Sequence, residues 1–316
     1  MPQEFCYQNS IITVGGGKGG TGKSFLAAAL AIEAGTRSGS AVAIDADLGG
    51  PNLHTLLRVR ENGKDLGDFF RNKAPRLEDV QTATEYPGVR LIKGSENALF
   101  LANLHQAKKL KLIRQIRGLQ AQNVIVDLGT GSAFNTLDIF VIGRPGIVVV
   151  TPEPTSVENT YYFLKSCAAR ILKLYIKYFK IPGLDEKIAG ELENGAGTLR
   201  SILASLASTD SASGRILQAA LNNFRPCLVI NKARGDKDDL LGRSIVDVVR
   251  RYFMIEIGLL GTLPYDERVL WSLKKHVPFT LEYPESEVSL RIRDMVTKLA
   301  KLQPNSGGVR EDRRPA

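Results

Sequence analysis

Short apolar runs rich in Val and Ile alternate along the chain with longer segments whose apolar residues recur every three or four positions. The first pattern predicts buried strands, and the second predicts helices packed on a sheet. Strands are predicted at about 10–16, 40–46, 89–94, 123–128, 146–152, 226–232 and 256–263. Helices are predicted at about 22–36, 104–118, 133–142, 155–180, 236–253, 266–275 and 286–302. The alternation predicts an α/β fold with a doubly wound, mostly parallel sheet covered by helices on both faces.

The alternation is interrupted once, between the strands predicted near 150 and 226. This connection is far longer than one crossover helix requires. Shorter helical patterns occupy it at about 185–193, 198–207 and 214–222. We therefore predict one α/β domain over 1–302 with a helical insertion at about 181–225, followed by a polar, disordered tail at 303–316.

The composition is that of an ordinary soluble globular protein with a basic surplus. Hydrophobic residues make up 43% and charged residues 24%, and no apolar run is long enough to span a bilayer. The N-terminus lacks a signal-peptide pattern. The scattered Cys6, Cys167 and Cys227 favour buried thiols in a reducing cytoplasm over a metal site. The net charge of +9 is compatible with an anionic partner such as DNA or acidic lipid, and equally with a site for a small anion.

The most informative motif is the glycine-rich segment between the first predicted strand and the first predicted helix. From Gly17 to Ser24 it fits the phosphate-loop (P-loop) pattern G-x-x-x-x-G-K-[ST]. Glycines allow successive backbone amides to face one anion, and the helix N-terminus adds partial positive charge. Lys23 is expected to reach the β- and γ-phosphates of ATP, and the Ser24 hydroxyl to bind Mg²⁺. The expected nucleotide contacts here are Gly17, Lys18, Gly19, Gly20, Thr21, Gly22, Lys23, Ser24 and Phe25.

Carboxylates at strand ends add further candidate chemistry. Asp45 and Asp47 end the second predicted strand, and Asp127 ends the fourth. Because parallel strands bring their carboxyl ends to one edge, all three acids should lie beside the P-loop. Such acids can complete a magnesium shell and orient an attacking water. Another strand ends at Asn231, whose amide can read an adenine edge, although an ordinary strand-end turn explains this residue equally well.

These motifs, in this order, resemble the MinD/ParA family of ATPases, whose deviant P-loop carries the core K-G-G-x-G-K-[ST]. That core stands here as Lys18–Ser24. The similarity runs from about 10 to 302 outside the insertion, and Gly261–Asp266 resembles the last strand and loop of the family. The resemblance is closest to MinD/FlhG-like members.

The resemblance also implies a role for each matching residue. Lys18 corresponds to the signature lysine that crosses a dimer interface to the ATP of the other subunit. Asp47 corresponds to the aspartate that positions the hydrolytic water, so catalysis would depend on Lys18, Lys23 and Asp47. The magnesium ligands would be Ser24, Asp45 and Asp127. Asn231 would read the adenine, and Lys232 and Pro264 would be further nucleotide contacts.

The implied function is slow ATP hydrolysis that switches an ATP-bound homodimer in the spatial positioning of a division site, a flagellum or a similar structure. ATP and Mg²⁺ would be the cofactors, and an unidentified protein would activate hydrolysis. The alternatives are a ParA-like DNA-partitioning ATPase and a carrier or assembly ATPase that holds a client. No iron–sulfur cluster is expected, because no cysteine stands directly after Asp127 and no CxxC occurs.

The expected location is the cytoplasm, with a peripheral position at the inner face of the membrane as an open variant. The helix at 286–302 has an apolar face with basic flanks that suits a membrane interface, but docking on the sheet is the preferred interpretation. A DNA contact would use the basic residues of the second helix, for which a solvated face is preferred. These residues are Lys108, Lys109, Lys111, Arg114 and Arg117.

Overall fold

The computed structural model of the chain describes residues 9–47, 50–59, 63–95, 106–181 and 211–302. The strands are β1 (Ser10–Gly15), β2 (Ala41–Ala46), β3 (Gln81–Ala83), β4 (Val89–Ile92), β5 (Asn123–Leu128), β6 (Gly146–Val150), β7 (Cys227–Ala233) and β8 (Gly258–Pro264). They form one sheet in the order β3-β4-β2-β5-β1-β6-β7-β8. Every neighbouring pair is parallel except β3 and β4. The mostly parallel sheet is therefore confirmed.

The helices connect these strands over both faces of the sheet. They are α1 (Lys23–Ser38), α2 (Leu53–Leu56), α3 (Leu66–Phe70), α4 (Gln106–Gly118), α5 (Phe134–Phe140), α6 (Pro154–Phe179), α7 (Ser211–Asn222), α8 (Asp236–Phe253), α9 (Arg268–Lys275), α10 (Phe279–Glu282) and α11 (Glu287–Leu302), with a 3₁₀ turn at Leu77–Val80. Side chains alternate between the two faces along β1: Ile11 joins one buried cluster, whereas Ile12 and Val14 join the other. One cluster includes α4 to α8, and the other includes α1 and α11.

Helix α11 is docked on the sheet, as preferred from the sequence. Its Ile292, Met295 and Leu299 are almost fully buried in the cluster that contains α1. Arg37 of α1 also donates hydrogen bonds to the Thr297 hydroxyl and the Arg293 carbonyl. The central part of the apolar face that could have bound lipid is thus covered by the protein itself, whereas Leu290 and Leu302 are exposed. None of the described helices has the length and apolar character needed to cross a membrane.

The basic face expected on α4 is corrected at one position. Lys109 is buried and forms an ion pair with Asp138 of α5, which also binds Arg170 of α6 at 2.5 Å and 2.9 Å. A buried carboxylate needs such partners, because an unpaired charge in the interior is costly. The ion pairs of Lys109, Asp138 and Arg170 therefore join α4, α5 and α6, and Lys109 does not face solvent.

Most of the expected insertion, at 182–210, lies outside the described residues, as does the expected tail at 303–316. The part that is described, α7, packs against α6. Its Leu217 and Leu221 are fully buried in the same cluster as Leu172 of α6. Helix α7 therefore belongs to the helical layer of the main domain.

Candidate nucleotide site

The candidate site lies at the carboxyl edge of the sheet, where β1 runs into the P-loop. Strand β5 lies between β1 and β2, and Asp127 pairs in register with Asp45 on one side and with Val14 on the other. The two carboxylates are consequently one strand apart, beside the loop that follows Val14. This is the edge at which open α/β sheets bind ligands.

The backbone of the P-loop requires glycine at its tightest positions. Gly20 and Gly22 have φ values of 73° and 95°, and Gly22 directly precedes α1. A Cβ at position 22 would lie 2.2 Å from the side-chain nitrogen of Asn231, so a larger residue would displace Asn231 from its hydrogen bond to the Thr21 carbonyl. Lys23 is buried, and its ammonium donates to the Lys18 carbonyl at 3.1 Å. Burial lowers the pKa of Lys23, against the opposing charges of Asp127 and Asp47.

Asp45 and Asp127 are completely buried but differ in their partners. Asp45 accepts hydrogen bonds from the backbone N–H groups of Asp47 at 3.2 Å and Leu53 at 2.9 Å. Neither carboxylate oxygen of Asp127 has a partner at good hydrogen-bonding geometry within the described structure, although the Ser24 hydroxyl lies near enough to favour the charged form. Burial raises the pKa of Asp45 to about 6 and that of Asp127 to about 7, and the Ser24 hydroxyl opposes the second shift.

An orphaned buried carboxylate beside a hydroxyl fits a magnesium ion, which prefers oxygen ligands. Ser24 and Asp127 are the residues that would hold it. Asp45 lies beside Asp127 on the neighbouring strand β2. In the described part of the chain, no group of three or more His, Cys, Asp or Glu side chains could hold a metal ion by itself. The shell would therefore need oxygens from a bound phosphate, as is usual for Mg²⁺ at nucleotide sites.

Replacing Asp127 with asparagine should stabilise the nucleotide-free protein. The substitution removes a buried charge that lacks a hydrogen-bond partner, for which we expect a gain of about 1–2 kcal/mol at pH 8, measured by thermal unfolding. Because the pKa of Asp127 is raised in the folded protein, folding favours the protonated carboxyl. The contribution of Asp127 to the stability of the wild type is therefore present at low pH and is lost as the pH rises through about 7. The gain should thus shrink as the pH falls below about 7.

Asp138→Asn is the matched control, because Asp138 is also buried but carries two cationic partners. That variant should lose stability. A melting temperature for Asp127→Asn at or below the wild-type value at pH 8 would contradict the interpretation of Asp127 as an orphaned charge.

Asp47 differs from the other two acids because it is only partly buried. A Cβ at Gly129, just after β5, would lie 2.7 Å from the Asp47 carboxylate oxygen. The carboxylate therefore lies against the Gly129–Gly131 segment, where the side chain has access to solvent. It is also near enough to influence the pKa of Lys23.

The two lysines of the P-loop occupy different surroundings. Whereas Lys23 folds over the loop, the Lys18 ammonium lies 2.5 Å from the Glu153 carboxylate and donates to the Thr155 hydroxyl at 2.8 Å. This contact lowers the pKa of Glu153. Lys18 is thus directed to the start of α6, at the partly exposed rim of the site.

Asn231 and Lys232 at the end of β7 hold the P-loop. The Asn231 amide donates to the Thr21 carbonyl at 2.8 Å and accepts from the Lys232 N–H at 2.9 Å. The Lys232 ammonium donates to the Gly20 carbonyl at 2.8 Å. Both residues therefore brace the loop, a role that the sequence did not indicate, and the adenine contact of Asn231 stays a prediction.

Phe25 follows Ser24 in the first turn of α1, and Pro264 ends β8. The Phe25 ring packs edge-on against Phe279 at 6.1 Å, which leaves only its backbone N–H for a phosphate contact. Pro264 ends β8 opposite Ala233, next to Lys232. The structure thus groups the P-loop with Asp45, Asp47, Asp127, Asn231 and Lys232.

A P-loop between β1 and α1, with carboxylates at the ends of the adjacent β5 and of β2, defines a P-loop nucleotide-binding protein. Residues 12–279 match the model of the CobQ/CobB/MinD/ParA nucleotide binding domain, and the chain belongs to that family.

Two related proteins and one solved structure are also similar to this chain. The antiactivator FleN of Pseudomonas aeruginosa is 22% identical over 291 residues, covering 92% of this chain and 85% of FleN. The flagellum site-determining protein YlxH of Helicobacter pylori is 27% identical over 156 residues, covering 49% of this chain and 52% of YlxH. The septum site-determining protein MinD of Pyrococcus horikoshii, solved in complex with Mg-ADP, superposes with a TM-score of 0.64 at 20% identity, covering 95% of this chain and 100% of MinD. The last similarity shows the shared fold.

Proposed function

We propose that the protein binds MgATP, hydrolyses it slowly and acts as an ATP-dependent dimerisation switch in the positioning of a cellular structure. The observation that carries the proposal is the different placement of its two P-loop lysines. Lys23 lies over its own loop, but Lys18 is directed outward to Glu153. A lysine at the rim is suited to supplying a positive charge to the phosphates bound by a second copy of the chain.

The other residues of the site would serve either nucleotide binding or hydrolysis. Lys23 and the loop amides would neutralise and orient the phosphates, and Ser24 with Asp127 would hold the metal. Asp45 fixes the backbone at Asp47 and Leu53. Asp47 is the one of the three carboxylates with access to solvent, so it is suited to orienting the attacking water.

A role in positioning is supported by the relatives, which are named for flagellar regulation, flagellar site determination and septum site determination. The alternative surfaces have less support in this chain. Of the five basic residues expected to contact DNA, Lys109 is buried, and on α11 the apolar residues Ile292, Met295 and Leu299 are covered rather than available to lipid, whereas Leu290 and Leu302 are exposed.

We expect the oligomeric state to depend on the nucleotide. In size-exclusion chromatography with light scattering, the ADP-bound 34.5 kDa chain should elute as a monomer. The addition of Mg²⁺ with a non-hydrolysable ATP analogue should double the measured mass. Lys18→Ala should stay monomeric with the analogue while binding it normally, because Lys18 does not lie over its own loop. Equal masses for the wild type in both nucleotides would contradict the switch.

A further inference from the structure

The helical layer on one face of the sheet carries almost the whole positive charge of the chain. Helices α4 to α7 contain ten basic residues, and their acidic residues are only Asp138 and Glu158. The net charge of these helices is thus +8, against +9 for all 316 residues. Asp138 is buried and paired with Lys109 and Arg170, and Glu158 lies in the second turn of α6. In the described part of these four helices, no other carboxylate is present to balance the cations of the outer surface.

The same layer contains an apolar groove, because its helices differ in length. Helix α5 has seven residues, whereas the flanking α4 and α6 have 13 and 26. Beyond the end of α5, the two longer helices therefore line a gap that also includes Val141 and Ile142. Leu110 and Ile113 line this groove from α4, and Leu174 lines it from α6. A helical layer with one short member thus leaves an apolar strip open to solvent.

The shape of the groove selects among possible occupants. Its cavity volume is only about 40 Å³, whereas sites that enclose a drug-sized molecule have about 300–1,000 Å³. Its lining residues on α4 run from Gln106 to Arg117, about 16 Å along the helix. A flat bilayer fits poorly, because the apolar side chains line a gap between helices and do not project from the surface. A rod-shaped partner with its own apolar stripe, such as a helix of about three turns, fits this space.

Cations stand on both sides of the groove. Arg114 lies on α4, three positions before the lining residue Arg117, and Lys177 lies on α6, three positions after Leu174. Residues at this spacing are neighbours on a helix surface. Arg114 and Lys177 are exposed, and neither forms an ion pair with another described residue. The groove therefore combines an apolar strip with positive charge along both of its edges.

We propose that this groove binds an acidic amphipathic helix of a partner protein, with apolar residues at i, i+4 and i+7 and carboxylates on both sides of that stripe. The stripe would pack against Leu110, Ile113 and Leu174, and the carboxylates would pair with Arg114 and Lys177. The charge of the layer selects against basic helices and makes the contact sensitive to salt. This docking is independent of nucleotide binding and hydrolysis, so its failure would leave the proposed function standing.

The probe is a fluorescein-labelled synthetic peptide of about 15 residues, long enough for about four helical turns, with leucine at i, i+4 and i+7 and glutamate and alanine elsewhere. Fluorescence anisotropy measures its binding to the full, nucleotide-free chain. Binding should be saturable and should weaken as the salt concentration rises. A peptide with lysine in place of glutamate, and another with alanine in place of leucine, should each bind at least about tenfold more weakly. Equal affinity for either of these control peptides would overturn the proposal.

The charged edges are tested with the double variant Arg114→Glu/Lys177→Glu. Both residues are exposed, so the variant should fold, and it should bind the acidic peptide at least about tenfold more weakly. Lys237→Glu/Arg243→Glu is the matched control, because it reverses two exposed cations of α8 that do not line the groove. It changes the net charge equally and should bind within about twofold of the wild type. Equal losses in the two double variants would show a response to overall charge alone and would overturn the site.

The apolar wall is tested with Leu174→Gln. Leu174 is half-buried in the groove lining, and glutamine is a good helix former, so α6 should persist while the apolar contact is lost. Binding of the acidic peptide should weaken about three- to tenfold. Leu240→Gln makes the same exchange on the exposed surface of α8 and should bind like the wild type. Wild-type affinity in Leu174→Gln would overturn docking in the groove.

Other occupants of the groove predict different results. Phosphatidylserine vesicles or duplex DNA that bind the wild type but not the Arg114→Glu/Lys177→Glu variant, while the acidic peptide does not bind, would assign this face to lipid or nucleic acid and overturn the proposal. Residues 182–210 of the chain itself contain five acidic and two basic residues. If they took the place of the partner helix, the wild type would not bind the peptide, and the proposal would again be overturned.

Discussion

Replacing Lys23 with alanine should lower both MgATP affinity and turnover by at least about 100-fold. Lys23 is held at 6% exposure with its ammonium over the loop, so its charge acts in a site largely shielded from water. A charge in such surroundings interacts with phosphate far more strongly than a surface lysine would. Titration with a fluorescent ATP analogue and a phosphate-release assay would measure the two effects.

Lys232→Ala is the matched control for this substitution. The Lys232 ammonium also contacts the P-loop, at the Gly20 carbonyl, but lies on the exposed side. We expect less than a tenfold loss, because only the position of the loop would relax. Affinity of Lys23→Ala within tenfold of the wild type, in a protein with an unchanged circular dichroism spectrum, would show that phosphate binding does not depend on this loop.

Replacing Asp47 with alanine should separate binding from hydrolysis. Turnover should fall by at least about 100-fold, the usual contribution of a positioned acid–base group, while ATP affinity stays within a few-fold. The reason is that Asp47 lies at the Gly129 segment rather than over the loop, and fully buried Asp127 remains to hold the metal. Because hydrolysis would release the dimer, the ATP-bound dimer should accumulate.

Asp266→Ala provides the control, since Asp266 follows β8 at the same sheet edge but is engaged with Arg268. It should hydrolyse ATP at the wild-type rate. If Asp47→Ala itself turned over at that rate, another group would have to orient the water, and the role assigned to Asp47 would be wrong.

Much of the fold was predictable because its strands and long helices have strong periodic patterns. Buried β5 and amphipathic α6 lie within about one residue of their predicted bounds. The short elements α2, α3 and α10 were missed because four or five residues are too few to show a period. The three-residue strand β3 was also missed, since it exists through antiparallel pairing with β4 at the sheet edge.

The P-loop and the three acids were recognisable in the sequence because each stands beside a strand end. Their supporting contacts were not, because they join distant parts of the chain. Glu153 meets Lys18 across 135 positions, and Asn231 meets Thr21 across 210 positions. Lys109 looked like part of a solvated face because its partner Asp138 lies on another helix. Such pairs depend on tertiary packing, which a local pattern does not contain.

The central claim, that one copy of the chain completes the site of another, can be tested by mixing two inactive variants. Lys18→Ala retains Asp47, and Asp47→Ala retains Lys18. In a mixed dimer, the site of the Lys18→Ala subunit would receive Lys18 from its partner and keep its own Asp47. We therefore expect ATPase activity to reappear on mixing. Each mixed dimer has one working site out of two, so the rate can reach at most about half of the wild-type rate. Mixing Lys18→Ala with the Lys18→Ala/Asp47→Ala double variant should restore nothing. If the first mixture were as inactive as its components, although the two variants were shown to associate, Lys18 would act within its own chain and the account would be contradicted.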